Sequence, residues 1–401
     1  MDLANSLNGK KEELNFSDYT YVMVSTLNQM VNYIPLKYFD CKFKEVVNIT
    51  INDSQYADNS KWDKNLTEVL GSEVSTSPIN FKQSEITNFT TIKNRLNEQL
   101  KGKEKIFWNI TGGQRPFVLA IQQIAKADDV ICYLEGNKSQ MVLLQNGIEL
   151  KDIVDDYSIE NKEDLNIEIA LKLMGIKTNE IQSDENHLEA NIMKSFIQEY
   201  KNIANGLRDL MIETNKTMNE SDAVKKLQSL KLQNKDAITK VIEWGYTKNK
   251  STPFGYILEE MTYHIINTSK DKDNIQELKT NIRLYNDTKI DGVNNTQIDE
   301  FDVLLLSKNG KLMVFECKSG SMHPDIAKST KYSTYAVSGV YGLPILITPL
   351  LKDEIPPEGT FKELGDAYGD IKASVSSAKR ASLEVWGLDE IDENLKKYIE
   401  L

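Results

Sequence analysis

Asp302, Glu316 and Lys318 are the residues of this sequence best suited to chemistry. They fall in the stretch 300–320, E-F-D-V-L-L-L-S-K-N-G-K-L-M-V-F-E-C-K-S-G, which reads as two apolar strands joined by a turn. Glu316 and Lys318 are two residues apart, so the two-residue period of a strand sets them on one face. Two carboxylates and a lysine on one face suit metal-assisted chemistry, in which hard oxygen donors hold a divalent cation.

Whether Asp302 joins them depends on the turn. A two-residue turn at Asn309-Gly310 would set Asp302 opposite Cys317 and separate the acids. A three-residue loop, Lys308-Asn309-Gly310, with Gly310 in the left-handed conformation, pairs Ser307 with Lys311 and therefore Asp302 with Glu316. The bulged turn is the predicted one. It brings the two Cβ atoms to roughly 4.5 to 5.5 Å, close enough to share a cation and repulsive without it.

These residues need a scaffold, and 401 residues favour two or three domains. The net charge of −12 argues against a protein that coats nucleic acid non-specifically. Between Val303 and Ile345, however, five lysines (Lys308, Lys311, Lys318, Lys328, Lys331) face two acids, Glu316 and Asp325. No run is long and apolar enough for a membrane span, and the polar N-terminus lacks a signal peptide's apolar centre, so a cytoplasmic protein is expected. Cys41, Cys132 and Cys317 form no C-x-x-C pair and read as free thiols.

In chain order, Tyr19 to Ser25 reads as a strand, Pro35 as the opening of a helix, and Phe43 to Ile51 as a second strand. A helix over Phe89 to Leu100 precedes a buried parallel strand, Lys105 to Ile110. Then comes N-I-T-G-G-Q-R-P, from Asn109 to Pro116, and an apolar helix to Ala127. Gly112 and Gly113 permit close backbone approach, and the helix start favours an anion, although neither a dinucleotide fingerprint nor a P-loop is present. Val130 to Glu135 and Gln140 to Gln145 read as a hairpin with its turn at Gly136-Asn137-Lys138.

Ile167 to Met174 reads as a helix, and 185–246 as almost wholly helical. After the Thr252-Pro253 break, an amphipathic helix from Gly255 to Ile266 carries Glu259. A strand near Asn281 to Tyr285, the opening hairpin, a helix from Ala327 to Val340 and a buried strand from Pro344 to Thr348 complete the order α-β-β-β-α-β. The rest of the tail reads as polar loop and helices. His264 is assigned to packing, His323 to a loop, and the Cys317 thiol to the core.

At Asp302…Glu316-Cys317-Lys318, on that order of elements, the C-terminal part resembles the PD-(D/E)XK nuclease superfamily of restriction-endonuclease-like folds. At N-I-T-G-G-Q-R the N-terminal part resembles a CARF domain, a Rossmann-like sensor of cyclic oligoadenylates whose motif is commonly T-G-G-T-K. Gln114-Arg115 stands here where Thr-Lys is common, which keeps a polar and a cationic donor. Together the halves resemble the CARF nucleases of type III CRISPR defence.

That resemblance implies an α/β chain with a CARF domain over 1–178, a helical connector over 179–250 and a nuclease domain over 251–401. It implies a homodimer that binds a cyclic oligoadenylate, the tetra-adenylate above all, and then cleaves DNA and/or RNA in antiviral defence. Asp302, Glu316 and the Cys317 carbonyl would hold Mg²⁺ or Mn²⁺, Lys318 would orient or deprotonate the water, and Glu259 would add an outer carboxylate. Ser25, Asn28 and Gln29, with Asn109, Thr111, Gly112, Gly113, Gln114 and Arg115, would face the cyclic ligand, and Lys328 and Lys331 would contact nucleic-acid phosphate. The competing expectations are a nucleotide-sensing regulator with a non-catalytic nuclease-like scaffold, and a nuclease that needs no activator.

Overall fold

A computed structural model describes residues 15–399 apart from 54–56, 59, 72–73, 75, 136–139, 151–156, 178–186, 203, 215–217, 287–296 and 357–367. The turn expected at Gly136-Asn137-Lys138 lies outside the described residues.

The first sheet is built from β1 (Thr20–Val24), β2 (Glu45–Asp53), β3 (Ala57–Asp58), β4 (Thr76–Phe81), β5 (Ile106–Asn109), β6 (Val130–Glu135), β7 (Gln140–Gln145) and β8 (Ile148–Glu149). Helices α1 (Met30–Tyr38), α2 (Ser60–Leu70), α3 (Phe89–Gln99) and α4 (Arg115–Ile124) connect the parallel strands. The strand order is β3-β2-β1-β5-β6-β7-β8, with β4 also on β2. The connections therefore run outward in opposite directions from β1 and β5, which makes the gap between their C-terminal ends the switch point of a Rossmann-like sheet.

Proline rules put Pro35 at the opening of a helix, yet it lies inside α1. An interior proline leaves the carbonyl four residues back without its N–H. Here that carbonyl belongs to Val31, and the side-chain amide of Asn109 donates to it at 2.9 Å. A residue far along the chain thus satisfies the helix that Pro35 would otherwise break.

Next come α5 (Ile167–Leu173) and β9 (Ile176–Lys177), then the helices α6 (Ala190–Asn202), α7 (Ala204–Thr214), α8 (Glu220–Ser229), α9 (Lys235–Lys248) and α10 (Pro253–Asn267). The second sheet follows with β10 (Ile275–Asn286), β11 (Gln297–Ser307), β12 (Leu312–Cys317), α11 (Pro324–Ser338), β13 (Leu343–Thr348), α12 (Gly369–Ala381), β14 (Glu384–Gly387) and α13 (Ile391–Ile399). Its order is β14-β13-β12-β11-β10-β9. The tail is more than loop and helix, because β14 extends the sheet in parallel with β13.

Alternation along β12 divides the core in two. Met313, Phe315 and Cys317 pack with residues of α6 to α10, such as Phe196, Leu207, Ile242 and Leu258. Leu312 and Val314 join a cluster with Tyr33, Ile34 and Leu36 of α1 and Leu171 of α5. One core thus runs between the first sheet's helices and the second sheet. Further bonds tie them: Gln276 donates to the Leu165 carbonyl at 2.8 Å, and the Ile159 amide to the Lys308 carbonyl at 2.9 Å.

Candidate active site

The hairpin of β11 and β12 closes through Gly310, whose φ of +85° is the left-handed value predicted for it. The Gly310 amide bonds the Ser307 carbonyl at 2.9 Å and the Ser307 amide bonds the Lys311 carbonyl at 3.0 Å. The ladder then runs Leu306 to Leu312, Leu305 to Met313, Leu304 to Val314 and Val303 to Phe315. The next step of that register sets Asp302 against Glu316, as the bulged turn requires.

At the end of the ladder Asp302 Oδ2 accepts the Cys317 amide at 2.7 Å. The Lys318 ammonium stands 2.5 Å from Glu316 Oε1 and 4.0 Å from Asp302 Oδ2. Glu316 Oε2 faces the Thr330 hydroxyl of α11 at 3.4 Å. The Cys317 thiol turns the other way, 3.5 Å from the Thr262 hydroxyl, and is buried as the sequence implies.

A cleft of about 470 Å³ opens over these residues, lined in part by Glu259, Glu300, Asp302 and Lys318. Thr252, Gly255, Tyr256 and Glu259 form its α10 wall, at the three- and four-residue spacing of one helix face. Glu316 is not on the wall but stands behind Lys318. Glu300 and Asp370 add carboxylates that motif reasoning did not single out. Glu300 could have been found, because it lies two residues from Asp302 on the same strand. Asp370 comes from α12, far along the chain, and no spacing announces it.

So many acids in one place alter their ionisation. Burial, and then the Glu316 charge, push Asp302 up to about 7 against the pull of Lys318 and the Cys317 amide. Burial followed by Asp302 also raises Glu259 well above the usual carboxylate range. Burial disfavours the Lys318 ammonium, but Asp302 and Glu316 outweigh it and hold its proton above the ordinary lysine value. Carboxylates that converge this way form a set of hard oxygen donors suited to a divalent cation. Among the described residues no three His, Cys, Asp or Glu side chains already surround a single point at ligand distances.

Lys328 and Lys331 lie on α11, away from the cleft wall. Lys328 pairs with Asp325 at 3.3 Å, and the Lys331 ammonium sits 5.9 Å from the Tyr335 ring centre. His323 caps the start of α11, and His264 is buried against Glu260 at 3.1 Å. His187, which motif reasoning passed over, bonds the other oxygen of Glu260 at 2.9 Å.

In the first sheet, the loops after β1 and β5 meet at the switch point. A Cβ on Gly112 would come 2.7 Å from Thr26 Cγ2 and 3.0 Å from the Val24 carbonyl, so glycine is what lets the loops touch. Thr111, Gly112 and Gly113 are half-buried there, and Gln114 and Arg115 are exposed. Gln114 offers α4 no side-chain cap. Ser25, Gln29 and Asn109 lie beneath this surface. Ser25 donates to Asp63, Gln29 donates to Ser25 Oγ at 3.0 Å, and Asn109 binds Val31, Asn32 and Tyr21. Asn28 reaches across to the second sheet, where its amide donates to the Ser338 carbonyl at the end of α11 at 3.0 Å.

No family profile matches the chain, and no curated protein does. Solved structures share its fold along almost its whole length. Protein VC1899 from Vibrio cholerae is 15% identical with a TM-score of 0.64, over 96% of this chain and 98% of that one. Can2 from Sulfobacillus thermosulfidooxidans, solved in complex with cyclic tetra-adenylate, is 18% identical with a TM-score of 0.64, over 98% of this chain and 100% of that one. A type III CRISPR defence DNA nuclease activated by cyclic oligoadenylate is 13% identical with a TM-score of 0.52, over 94% of this chain and 51% of that one. At these identities the likeness concerns the fold.

Proposed function

We propose that this protein is a metal-dependent nuclease of type III CRISPR defence, activated when a cyclic oligoadenylate binds the first sheet. The observation that carries the reading is the meeting of Asp302, Glu259 and Lys318 on one cleft, with Glu316 behind the lysine. The shared fold with Can2 and with the cyclic-oligoadenylate-activated nuclease supports the activator, and cyclic tetra-adenylate is the first to try. The crossing of the Thr111–Arg115 and Ser25–Gln29 loops at the switch point offers that ligand a seat.

In this reading Asp302, Glu316 and the Cys317 carbonyl would hold Mg²⁺ or Mn²⁺, which supplies a nucleophilic hydroxide and takes up charge on the phosphate oxygens. Lys318 Nζ, kept protonated by its two carboxylates, donates to the attacking water or a phosphate oxygen. Once those carboxylates are otherwise neutralised, the same nitrogen loses what holds its proton and can accept one. Glu259 adds an outer carboxylate, and Lys328 and Lys331 attract nucleic-acid phosphate along α11. The protein acts as a homodimer in the cytoplasm.

The test is incubation with Mn²⁺ and single-stranded and supercoiled substrates, of DNA and of RNA, with and without cyclic tetra-adenylate. Cleavage dependent on both metal and activator is expected. Glu316→Gln and Lys318→Ala should each lower turnover by at least ~100-fold while the activator still binds. Cleavage that survives either substitution would remove the site from these residues. A nucleotide-sensing regulator with a non-catalytic scaffold is the second reading, favoured by the closed Lys318–Glu316 ion pair. It predicts no cleavage in any arm.

A further inference from the structure

Strand β10 contains an anomaly that the proposed reaction leaves unexplained. Asn281 has a φ of +54°. Among the described residues, the other non-glycine residues with positive φ, Asp40, Cys41, Asn146 and Ser382, lie in turns or at a helix end, whereas Asn281 lies inside a twelve-residue strand. It stands opposite Asp302, because Thr280 pairs with Val303 and Ile282 with Phe301.

Side-chain direction reverses at this point. Val303, Leu305 and partly buried Leu278 face the helical core, while Phe301, Ile282 and Leu284 face the core shared with the first sheet. Residues two apart ought to share a face, and on β10 the left-handed Asn281 stands where that period breaks, between Leu278 and Ile282.

The bend alone would be served better by glycine, which adopts this φ without steric cost, whereas asparagine is strained there. What asparagine adds is a side-chain amide, and Asn281 lines the cleft with Glu259, Glu300, Asp302 and Lys318. Among the described residues that amide has no hydrogen-bond partner. Its neighbours are mostly acids, which repel a phosphate, and a neutral amide contributes two N–H donors without adding charge.

We propose that Asn281 touches the substrate, its Nδ2 donating to a non-bridging phosphate oxygen of the nucleic-acid strand held beside Asp302. The inference rests on the nuclease reading. It makes β10 a third strand of the site and gives the strained backbone a use, since such strain persists where the surroundings enforce it and function uses it.

Three variants of the full-length protein test it, with Mn²⁺, cyclic tetra-adenylate and a labelled oligonucleotide of the type the wild type cleaves. Asn281→Gly keeps the bend and removes the donor, so it should melt no lower than wild type, bind the activator equally and lose roughly 10- to 100-fold in kcat/KM. Asn281→Asp also tolerates this backbone but meets the phosphate with a charge, and should lose more. Asn281→His accepts the left-handed region and restores an N–H, so it should recover part of the loss. Undiminished cleavage by Asn281→Gly in a protein whose wild type is active overturns this inference alone, as would equal losses in the His and Gly variants. A wild type that cleaves nothing overturns the nuclease reading and this inference with it.

Discussion

At Glu260, one residue along α10 from the cleft, burial and hydrogen bonding pull in opposite directions. Burial favours the protonated acid, but hydrogen bonds from His187, His264 and the Leu188 amide outweigh it and lower Glu260 to about 2. A carboxyl depressed below its unfolded value of 4.5 contributes stability that is fully present above 4.5 and is lost as pH falls towards 2. The contribution is on the order of 2 to 3 kcal/mol. Glu260→Gln should therefore be less stable than wild type by about that amount at neutral pH, the difference shrinking below pH ~4.5 as both are denatured with urea at successive pH values. A gap that stays constant to pH ~2 would mean that packing, and not charge, is what the substitution removes. His187, which precedes α6, also stacks on Tyr263 of α10 at 3.8 Å.

At the scale of elements, the hairpin turn and helix α11 both lean on α1. A Cβ on Gly310 would come 2.5 Å from Ile34 Cδ1, so the turn that sets the hairpin register is also pressed against the first sheet's helix. Asn28, in the loop that leads into α1, holds the last turn of α11 by the Ser338 carbonyl, and the same helix presents Thr330 to Glu316. A ligand that reorganises the Ser25–Gln29 loop would thus act on α11 through one side chain. Asn28→Ala should lower fold-activation by cyclic tetra-adenylate about 10-fold, a coupling of ~1.4 kcal/mol, while activator-free cleavage stays as it was. Measuring cleavage against activator concentration checks this, and unchanged fold-activation would place the route elsewhere.

The same elements mark what could be read in advance. The Gly310 bulge was legible because turn chemistry and register are local, and the placing of Asp302 against Glu316 followed from it. Pro35 misled because its missing bond is supplied by Asn109, which no local rule reaches. The short β14, E-V-W-G, carries too little alternation to announce itself. Asn281 opened the expected strand, but a left-handed residue within the longer β10 depends on the partner strand and the two cores. The internal partners of buried Gln29 and Asn109 were not legible, because a polar side chain in such a motif gives no local sign of them.

At the scale of the whole molecule, the shared core decides whether the two sheets can act separately. Tyr33, Ile34 and Leu36 of α1 lie in one cluster with Ile282, Leu284, Phe301, Leu306 and Val314 of the second sheet. Parting the sheets would expose this apolar surface to water at a cost of roughly 25 cal/mol per Å². Their unfolding should therefore be a single event. Two buried tryptophans can report it independently, Trp108 in the first sheet and Trp386 in the second. Variants whose single remaining tryptophan of four is Trp108 or Trp386 should show the same melting temperature, and saturating cyclic tetra-adenylate should raise both readings together. A ligand at 100 times its Kd stabilises the folded state by ~2.7 kcal/mol, enough to move the transition by a few degrees. Were Trp108 to respond to the ligand while Trp386 melted at its former temperature, the shared core would not transmit binding. The route from activator to cleft would then have to pass through a partner subunit.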